Sequence, residues 1–242
     1  MLNINIDKLK KLDNSTNEAY KRLRTNVQFC GSDVKVVALT STVPNEGKSS
    51  VSFNLAASIA ESGKKVIFLD ADLRKSVLVG RYKINKAVKG LTHYLSGVNP
   101  FDEVVYSTNV DNLHVVFSGP VPPNPAELLG NKFFKSLIAQ LRRTYDYVII
   151  DTPPIGSVID AAVVAEECDG VVLVIASGEI SYKAVQTTKM QMEKANCRIL
   201  GAVLNKVPLG KGGYYGKYYG KYYGKYYGSY GEYGSSSSSS KK

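Results

Sequence analysis

Short apolar runs rich in β-branched residues alternate along this chain with longer amphipathic stretches. Runs such as VVLVI are hydrophobic at every position, which predicts strands buried on both faces and therefore a mostly parallel sheet. Strands are predicted at Val34–Thr40, Val66–Asp70, Leu113–Ser118, Tyr147–Asp151, Gly170–Ile175 and Gly201–Asn205. Helices are predicted at Asn17–Val27, Lys48–Ser62, Pro125–Arg143 and Ser181–Ala195.

Two of these helices have recognisable ends in the sequence. Gly63 can close one of them as a C-terminal cap. At the other, Asn124 can cap the start, Pro125 suits the first position and Glu127 can complete a capping box. Repeated strand–helix units predict right-handed crossovers and a three-layer α/β fold, which binds its ligands at the carboxyl ends of the strands.

The last part of the chain has a different composition. Ten of its seventeen tyrosines lie there, spaced by glycine and lysine: Tyr214, Tyr215, Tyr218, Tyr219, Tyr222, Tyr223, Tyr226, Tyr227, Tyr230 and Tyr233. Glycine removes helix and strand preference and lysine resists burial, so we predict a disordered tail over residues 209–242 that uses its phenols outside a core. Six lysines against one glutamate give the tail half of the net charge of +10, and the remaining +5 indicates no particular partner.

Other sequence features exclude several classes of protein. Three scattered cysteines without a CxxC pair indicate reduced, intracellular thiols, and His93 and His114 have no second ligand at metal spacing. The N-terminus is too polar for a signal peptide. The longest apolar run, Val171–Ala176, has six residues, whereas a bilayer needs roughly 20. We therefore predict no membrane span, so any membrane association would come through a partner or through charge.

A phosphate-binding loop is predicted after the first of these strands, where Asn45-Glu46-Gly47-Lys48-Ser49-Ser50 leads into a helix. Such a loop needs backbone N–H groups around the phosphate, a helix N-terminus behind them, a lysine at the β- and γ-phosphates and a hydroxyl on Mg²⁺. The sequence Gly-Lys-Ser before a helix supplies the last three parts. The match to the usual GxxxxGK[ST] pattern is imperfect, because that pattern would place a glycine at Thr42.

Two predicted strands end in carboxylates. VIFLD ends in Asp70, which is followed by Asp72 and Arg74, and YVIID ends in Asp151. A carboxylate at the carboxyl end of a buried strand, beside a phosphate-binding loop, is where Mg²⁺ and its waters would be held. One such strand alone is better explained by an acid that solvates a turn. Two of them together with Gly-Lys-Ser predict a nucleotide triphosphate site.

These motifs resemble those of the bacterial tyrosine kinase (BY-kinase) family. The VPNEGKS loop, the LDADLR strand end (Walker A′) and the IIDTPP strand end (Walker B) match its signatures, and the tyrosine cluster matches a fourth. The resemblance spans residues 15–234 and points to the Firmicute capsule and exopolysaccharide type, whose cytosolic kinase is separate from its transmembrane activator. It implies a P-loop NTPase fold, with a helical lead-in over residues 1–30 and an ATPase and kinase domain over residues 31–208.

The resemblance also implies roles for the residues of the site. Lys48 would bind the phosphates and Ser49 the Mg²⁺ ion. Asp70 is the favoured acceptor of the phenol proton, and Asp72 and Asp151 would support the metal and its waters. The metal site would thus consist of Ser49, Asp70 and Asp151.

Further residues complete the nucleotide site that the resemblance implies. Asn45, Glu46, Gly47 and Ser50 would line it together with Lys48 and Ser49. Asn205 would contact the base, although an asparagine in a strand-end turn fits the sequence as well. Arg74 would neutralise charge or hold Asp72, and an ordinary ion pair is the alternative.

Near the N-terminus, the family has an oligomerisation motif, ExxRxxR. Here Glu18, Lys21 and Arg24 give ExxKxxR, in which lysine lacks the two-point contact of arginine. The motif implies a ring-shaped homo-oligomer when the protein is unphosphorylated. A solvated helix face gives the same charge pattern.

Together these features predict an ATP- and Mg²⁺-dependent protein-tyrosine kinase that phosphorylates its own tail. The resemblance implies that it regulates capsular or exopolysaccharide synthesis and export. A flexible tail of this length spans roughly 30 Å, which reaches its own site or a neighbour's, and the resemblance favours the neighbour's. It also implies a transmembrane activator of the polysaccharide co-polymerase type and a cognate protein-tyrosine phosphatase as partners. The expected location is the cytoplasm, at the inner face of the membrane through the activator.

Two other functions fit parts of the sequence. A partitioning-type ATPase of the same fold would use ATP to control dimerisation, but such proteins usually carry a second lysine at the position of Val43. Lysine- and tyrosine-rich repeats can also stack on single-stranded nucleic acid. That function would leave the phosphate site unexplained, so nucleic acid is not an expected partner.

Overall fold

The computed structural model describes residues 2–4, 6, 12–82, 84 and 88–208. The chain divides into two compact units, residues 1–205 and residues 206–242, and only residues 206–208 of the second are described. The tyrosine-rich tail and its predicted disorder lie outside the described residues.

The strands of the first unit form one sheet. They are β1 (Leu2–Ile4), β2 (Val36–Ser41), β3 (Val66–Asp70), β4 (Val105–Thr108), β5 (Leu113–Val116), β6 (Tyr147–Asp151), β7 (Gly170–Ala176) and β8 (Ile199–Asn205). Their order across the sheet is β1-β4-β5-β3-β6-β2-β7-β8. Neighbouring strands are parallel except β4 and β5, which are antiparallel, so the predicted mostly parallel sheet is confirmed.

Helices cover both faces of this sheet. They are α1 (Asn14–Gln28), α2 (Lys48–Glu61), α3 (Leu78–Arg81), α4 (Leu91–Leu95), α5 (Pro125–Leu129), α6 (Lys132–Thr144), α7 (Asp160–Ala165) and α8 (Tyr182–Lys194), with a 3-10 turn at Phe101–Glu103. Because side chains alternate along a strand, β2 buries Val37 and Leu39 in a core with α1, α2 and α3, and Val36 and Ala38 in a second core with the remaining helices. The three-layer α/β fold is therefore confirmed.

All six predicted strands are present, and β3 and β6 have the predicted bounds. β5 ends two residues early, because the carbonyls of Phe117 and Ser118 accept hydrogen bonds from the N–H groups of Leu91 (2.6 Å) and Thr92 (2.9 Å) at the start of α4. β1 and β4 were not predicted; they have three and four residues and pair with each other at one side of the sheet.

The helix predicted at Pro125–Arg143 is two helices, α5 and α6, with Gly130 and Asn131 between them. α5 ends at Leu129 with Gly130 as its C-cap, and the Asn131 side chain caps the start of α6, because its oxygen accepts from the N–H groups of Phe133 (2.9 Å) and Phe134 (3.0 Å). The capping box predicted at Asn124 is wrong. That side chain donates to the Glu127 carboxylate and caps no backbone N–H.

The N-terminal segment contains the predicted helix, but α1 begins three residues earlier than expected. Asp13 caps it by accepting a hydrogen bond from the N–H of Thr16 at 2.9 Å. Residues 1–30 are not wholly helical, because β1 precedes α1 and joins the sheet. The division into lead-in, kinase domain and tail stays a prediction.

Within the described ranges, no helix has both the length and the apolar character that are needed to cross a bilayer.

Candidate functional site

The predicted phosphate-binding loop connects β2 to α2, which begins at Lys48. Gly47 has a left-handed backbone (φ 89°), as does the exposed Asn45 (φ 69°). The backbone conformation favours glycine here, and a Cβ atom at Gly47 would lie 2.2 Å from Nδ2 of Asn205, so that this side chain would have to move. The first N–H groups of a helix lack carbonyl partners within it, so the N-terminus of α2 is suited to binding an anion.

The Glu46 side chain holds the loop in place. It is buried, and its two carboxylate oxygens accept from the N–H groups of Val43 (2.8 Å) and Ala176 (2.9 Å), the latter at the end of β7. Asn205 donates from Nδ2 to the Glu46 carbonyl at 2.9 Å. Both carboxylate oxygens of Glu46 are therefore occupied by hydrogen bonds within the protein. Only the backbone of Glu46 is left for the predicted nucleotide contact.

The structure brings the predicted lysine and carboxylates together. Nζ of Lys48 lies 3.0 Å from Oδ2 of Asp72, 3.6 Å from Oδ2 of Asp151 and 3.3 Å from Oγ of Ser49. Burial by itself lowers the pKa of Lys48, but the Asp151 and Asp72 carboxylates outweigh this effect and raise it. The amine is therefore charged and aimed at the centre of the site.

Asp70 and Asp151 are register partners at the ends of β3 and β6, and both are buried. Burial, reinforced by the charge of Asp151, raises the pKa of Asp70 to about 7. The Asp70 carboxylate accepts hydrogen bonds from the Ser76 hydroxyl and, at 3.3 Å, from the N–H of Asp72. Such a carboxyl group can exchange a proton near neutral pH.

The Asp151 carboxylate is only partly satisfied by the described residues. Oγ of Ser52 donates to its Oδ1 at 3.0 Å, whereas its buried Oδ2 has no hydrogen-bond partner among them. Burial raises the pKa of Asp151, and Lys48 opposes this shift. An oxygen in this position fits a hydrated Mg²⁺ ion, which usually takes one or two carboxylates and keeps its other ligands from water and phosphate.

The remaining ligands of such an ion would not come from a ready-made protein cage. In the described part of the chain, no three His, Cys, Asp or Glu side chains are grouped to hold a metal by themselves. Ser49 lies beside Lys48 at the start of α2, where a hydroxyl ligand is expected. The Ser50 hydroxyl accepts from the Arg81 guanidinium of α3. The nucleotide contacts predicted for Asn45, Ser50 and Asn205 stay predictions.

Arg74 does not hold Asp72. Its Nε and Nη2 donate to the two carboxylate oxygens of Asp160 at 2.8 Å and 2.9 Å. Asp160 is fully buried at the start of α7, whereas the Arg74 side chain is 41% exposed. The ion-pair alternative for Arg74 is therefore the correct one. Sequence reasoning missed Asp160 because 86 positions separate the two residues.

The three predicted oligomerisation residues have partners within the chain. Nζ of Lys21 lies 2.7 Å from the Glu18 carboxylate, one turn away on the exposed face of α1. Arg24 donates from Nη1 to the carbonyl of Ser58, near the end of α2, at 2.6 Å. Their role in assembly stays a prediction.

Comparison with known proteins gives a consistent result. The AAA domain family matches residues 34–200, which is more than half of the chain. The tyrosine-protein kinase CpsD of Streptococcus agalactiae is 45% identical over 217 residues, which cover 88% of this chain and 95% of that protein.

Among solved structures, this chain is more similar to a tyrosine kinase domain than to an ATPase of the same fold. The kinase domain of the Escherichia coli tyrosine kinase ETK superposes with a TM-score of 0.77 at 33% identity, covering 88% of this chain and 86% of that one. The septum site-determining protein MinD of Pyrococcus horikoshii, complexed with Mg-ADP, has a TM-score of 0.62 at 23% identity, covering 74% and 72%. The second likeness extends to the fold alone.

Proposed function

Because this chain belongs to the bacterial tyrosine-protein kinase (BY-kinase) family, of the Firmicute type that CpsD represents, we propose that it transfers the γ-phosphoryl group of ATP to tyrosine hydroxyls. The observation that carries the proposal is the position of the Lys48 amine, 3.0 Å from Asp72 and 3.6 Å from Asp151, at the start of the helix behind the phosphate-binding loop. A lysine, a helix N-terminus and converging carboxylates are the parts that phosphoryl transfer needs.

Each group has a distinct task in this mechanism. Lys48 and the first-turn N–H groups of α2 bind the β- and γ-phosphates and orient the γ-phosphorus for in-line attack. Ser49, Asp70 and Asp151 would hold Mg²⁺, which neutralises phosphate charge when bound. Asp72 keeps Lys48 in position before the nucleotide arrives, because its Oδ2 accepts from the lysine amine.

Asp70 accepts the proton of the attacking phenol. A free tyrosine hydroxyl has a pKa near 10, so a positioned base speeds the attack. Without a bound ion, burial raises the pKa of Asp70 to about 7. A Mg²⁺ ion beside it would lower that pKa and so keep the carboxylate ionised and able to accept the proton. The Ser76 hydroxyl now donates to this carboxylate, and a substrate phenol would take over the same kind of contact.

The substrates include the ten tail tyrosines, which are phosphorylated in trans within an oligomer. Each phosphotyrosine adds about −1.5 to −2, so four of them would contribute roughly −6 to −8 and reverse the tail's charge of +5, from six lysines and one glutamate. This reversal gives a physical route from an assembled, unphosphorylated ring to dispersed, phosphorylated chains.

The proposed setting is the control of capsular or exopolysaccharide synthesis and export. The kinase acts in the cytoplasm, where a transmembrane activator recruits it to the inner face of the membrane. A cognate protein-tyrosine phosphatase removes the phosphate groups. The likeness to CpsD supports this setting.

The test is phosphotyrosine analysis of the purified protein after incubation with Mg-ATP. Wild type should gain phosphate on tail tyrosines, and Lys48→Met should gain none. Mixing Lys48→Met, which keeps its tail, with a variant whose ten tail tyrosines are phenylalanine should phosphorylate the Lys48→Met chain if transfer occurs in trans. ATP-dependent dimerisation of the wild type without phosphotyrosine would instead support a partitioning-type ATPase.

A further inference from the structure

One segment joins the loops of the phosphate site. It leaves β6 at Thr152 and ends at Asp160, and we call residues 152–160 the bridge segment. Its first part lies against β2 and the phosphate-binding loop: Oγ1 of Thr40 donates to the carbonyl of Pro153 at 2.9 Å, and the N–H of Ile155 donates to the carbonyl of Ser41 at 3.0 Å. The start of the bridge segment is therefore fixed to the strand that carries the loop.

The two backbones are closest at Gly156. A Cβ atom there would lie 2.2 Å from the carbonyl oxygen of Thr42, the first residue after β2. A backbone carbonyl cannot move aside as a side chain can, so the segment has no room for a side chain at this contact. This end of the bridge segment thus sets its distance from the phosphate-binding loop.

The far end of the bridge segment is fixed to a different loop. The buried carboxylate of Asp160 accepts from Nε and Nη2 of Arg74, at 2.8 Å and 2.9 Å. Paired contacts between a guanidinium and a carboxylate restrict orientation as well as distance. Arg74 lies in the turn that follows β3, so the bridge segment spans from the phosphate-binding loop to that turn.

The same turn carries Asp72, which faces Lys48. Asp72 uses both oxygens, because Oδ1 accepts from the N–H of Lys75 at 3.1 Å and Oδ2 accepts from the Lys48 amine at 3.0 Å. On its inner side this turn is held by the bond from Lys48 to Asp72 and by the Asp72 N–H, which donates to Asp70 at 3.3 Å. On its outer side it is held through Arg74 by Asp160. Releasing Arg74 would remove the outer attachment and leave the bonds to Lys48 and Asp70 and the bond within the turn.

We propose that Asp160 is a positioning residue for phosphoryl transfer: through Arg74 it fixes the turn at residues 72–75 relative to the phosphate-binding loop and so keeps Asp72 in place beside Lys48. This inference rests on the proposed function, because it concerns the same site. Nucleotide binding itself depends on the loop and on the N-terminus of α2, which Asp160 does not contact.

The expected signature is a change in kcat with little change in KM. Partners that orient the ligands of a metal or phosphate site usually cost 10- to 100-fold in activity when removed. Asp160→Asn keeps the shape of the side chain but removes its charge, and we expect kcat to fall at least about tenfold, with KM for Mg-ATP within about threefold of wild type. Arg74→Gln should give the same result, and the double variant should be no worse than either single one.

The chain contains a matched control pair. Arg142 binds Asp169 through Nη1 at 2.6 Å and 2.7 Å, and Asp169 also accepts from the N–H groups of Lys35 and Val36 at the amino end of β2. This arginine–carboxylate pair lies at the opposite end of the sheet from the site. Arg142→Gln should therefore lower the free energy of unfolding without changing kcat per bound nucleotide.

The experiment measures kcat and KM for the full-length variants, together with the number of nucleotide sites titrated by a fluorescent ATP analogue. If Asp160 had a merely structural role, its variant would have fewer nucleotide sites but an unchanged kcat per site. If Asp160 and Arg74 acted separately, their effects on kcat would add in the double variant. Either result overturns the proposal. The same series measured on ATP hydrolysis keeps the inference testable if wild type forms no phosphotyrosine, an outcome that would refute the proposed function alone.

Discussion

Replacing Asp70 by asparagine tests two effects of this buried carboxyl group: its effect on the free energy of unfolding and its effect on phosphoryl transfer. Asp70 is completely buried, and burial raises its pKa from an ordinary value of 3.8 to about 7. Asparagine has nearly the same shape and can still accept a hydrogen bond from Ser76 or from the N–H of Asp72. We expect Asp70→Asn to fold, to lose roughly 100-fold or more of its phosphoryl transfer, and to change the pH dependence of stability.

The magnitude of this last effect follows from the two pKa values. Between about pH 4 and pH 7, the folded wild type keeps a proton on Asp70 that the unfolded chain has released, so its free energy of unfolding falls as the pH rises. Each pH unit in this window costs about 1.4 kcal/mol. The cost is about 2 kcal/mol at pH 5 and about 4 kcal/mol at pH 8, above which it changes little. Asparagine carries no such cost, so the variant should gain about 2 kcal/mol or more over wild type between pH 5 and pH 8.

The assay is urea unfolding of the metal- and nucleotide-free proteins at pH 5, 6, 7 and 8. Comparing differences between pH values cancels the hydrogen bond that asparagine loses, because that loss is similar at each pH. Asp111→Asn, which makes the same charge change at an exposed position, serves as the control and should show no such trend. A stability difference for Asp70→Asn that is constant with pH, or that grows toward acid, would refute the reasoning.

Two further predictions concern the loop and a helix start. Gly47→Ala should weaken ATP binding roughly tenfold or more, because of the backbone strain at φ 89° and the contact with Asn205. Gly63→Ala is the control: its φ is 85°, but the space around it is open, and it should bind ATP normally. Both are measured by titration with a fluorescent ATP analogue. Asn131→Ala should lower the free energy of unfolding by about 1 kcal/mol through loss of its cap, measured with urea, whereas Asn124→Ala should change it little. Equal results within either pair would contradict the corresponding contact.

The central strands could be predicted because their signal is local. β3 and β6 are hydrophobic up to their last residue, which is an aspartate in each, so both of their ends can be recognised in the sequence. β1 and β4 are too short to have a recognisable period, and they are strands because of their pairing in the sheet: β4 pairs with β5 and β1 pairs with β4. The break between α5 and α6 also has a local signal, because glycine commonly ends a helix and asparagine commonly begins one. The apolar residues on either side of Gly130 and Asn131 nevertheless favoured one continuous helix.

The centre of the site could be predicted for a topological reason. Parallel strands bring their carboxyl ends to one edge of the sheet, so a lysine after β2 and aspartates at or just after the ends of β3 and β6 lie close together. The supporting contacts could not be predicted in this way. The Glu46 carboxylate accepts a hydrogen bond from Ala176, which is 130 positions away. Nothing in the sequence of the loop indicates that this carboxylate binds backbone N–H groups rather than a ligand.

Helix α2 receives charge at both of its ends. Phosphate is expected at its N-terminus, while the Arg24 guanidinium meets the Ser58 carbonyl near its C-terminus, and the helix dipole favours each charge where it lies. A neighbouring subunit that recruited Arg24 would first have to remove it from this carbonyl. Assembly through that arginine therefore competes with a bond inside each subunit. Its outcome would change the charge at the C-terminus of α2, the helix whose N-terminus is expected to bind the nucleotide.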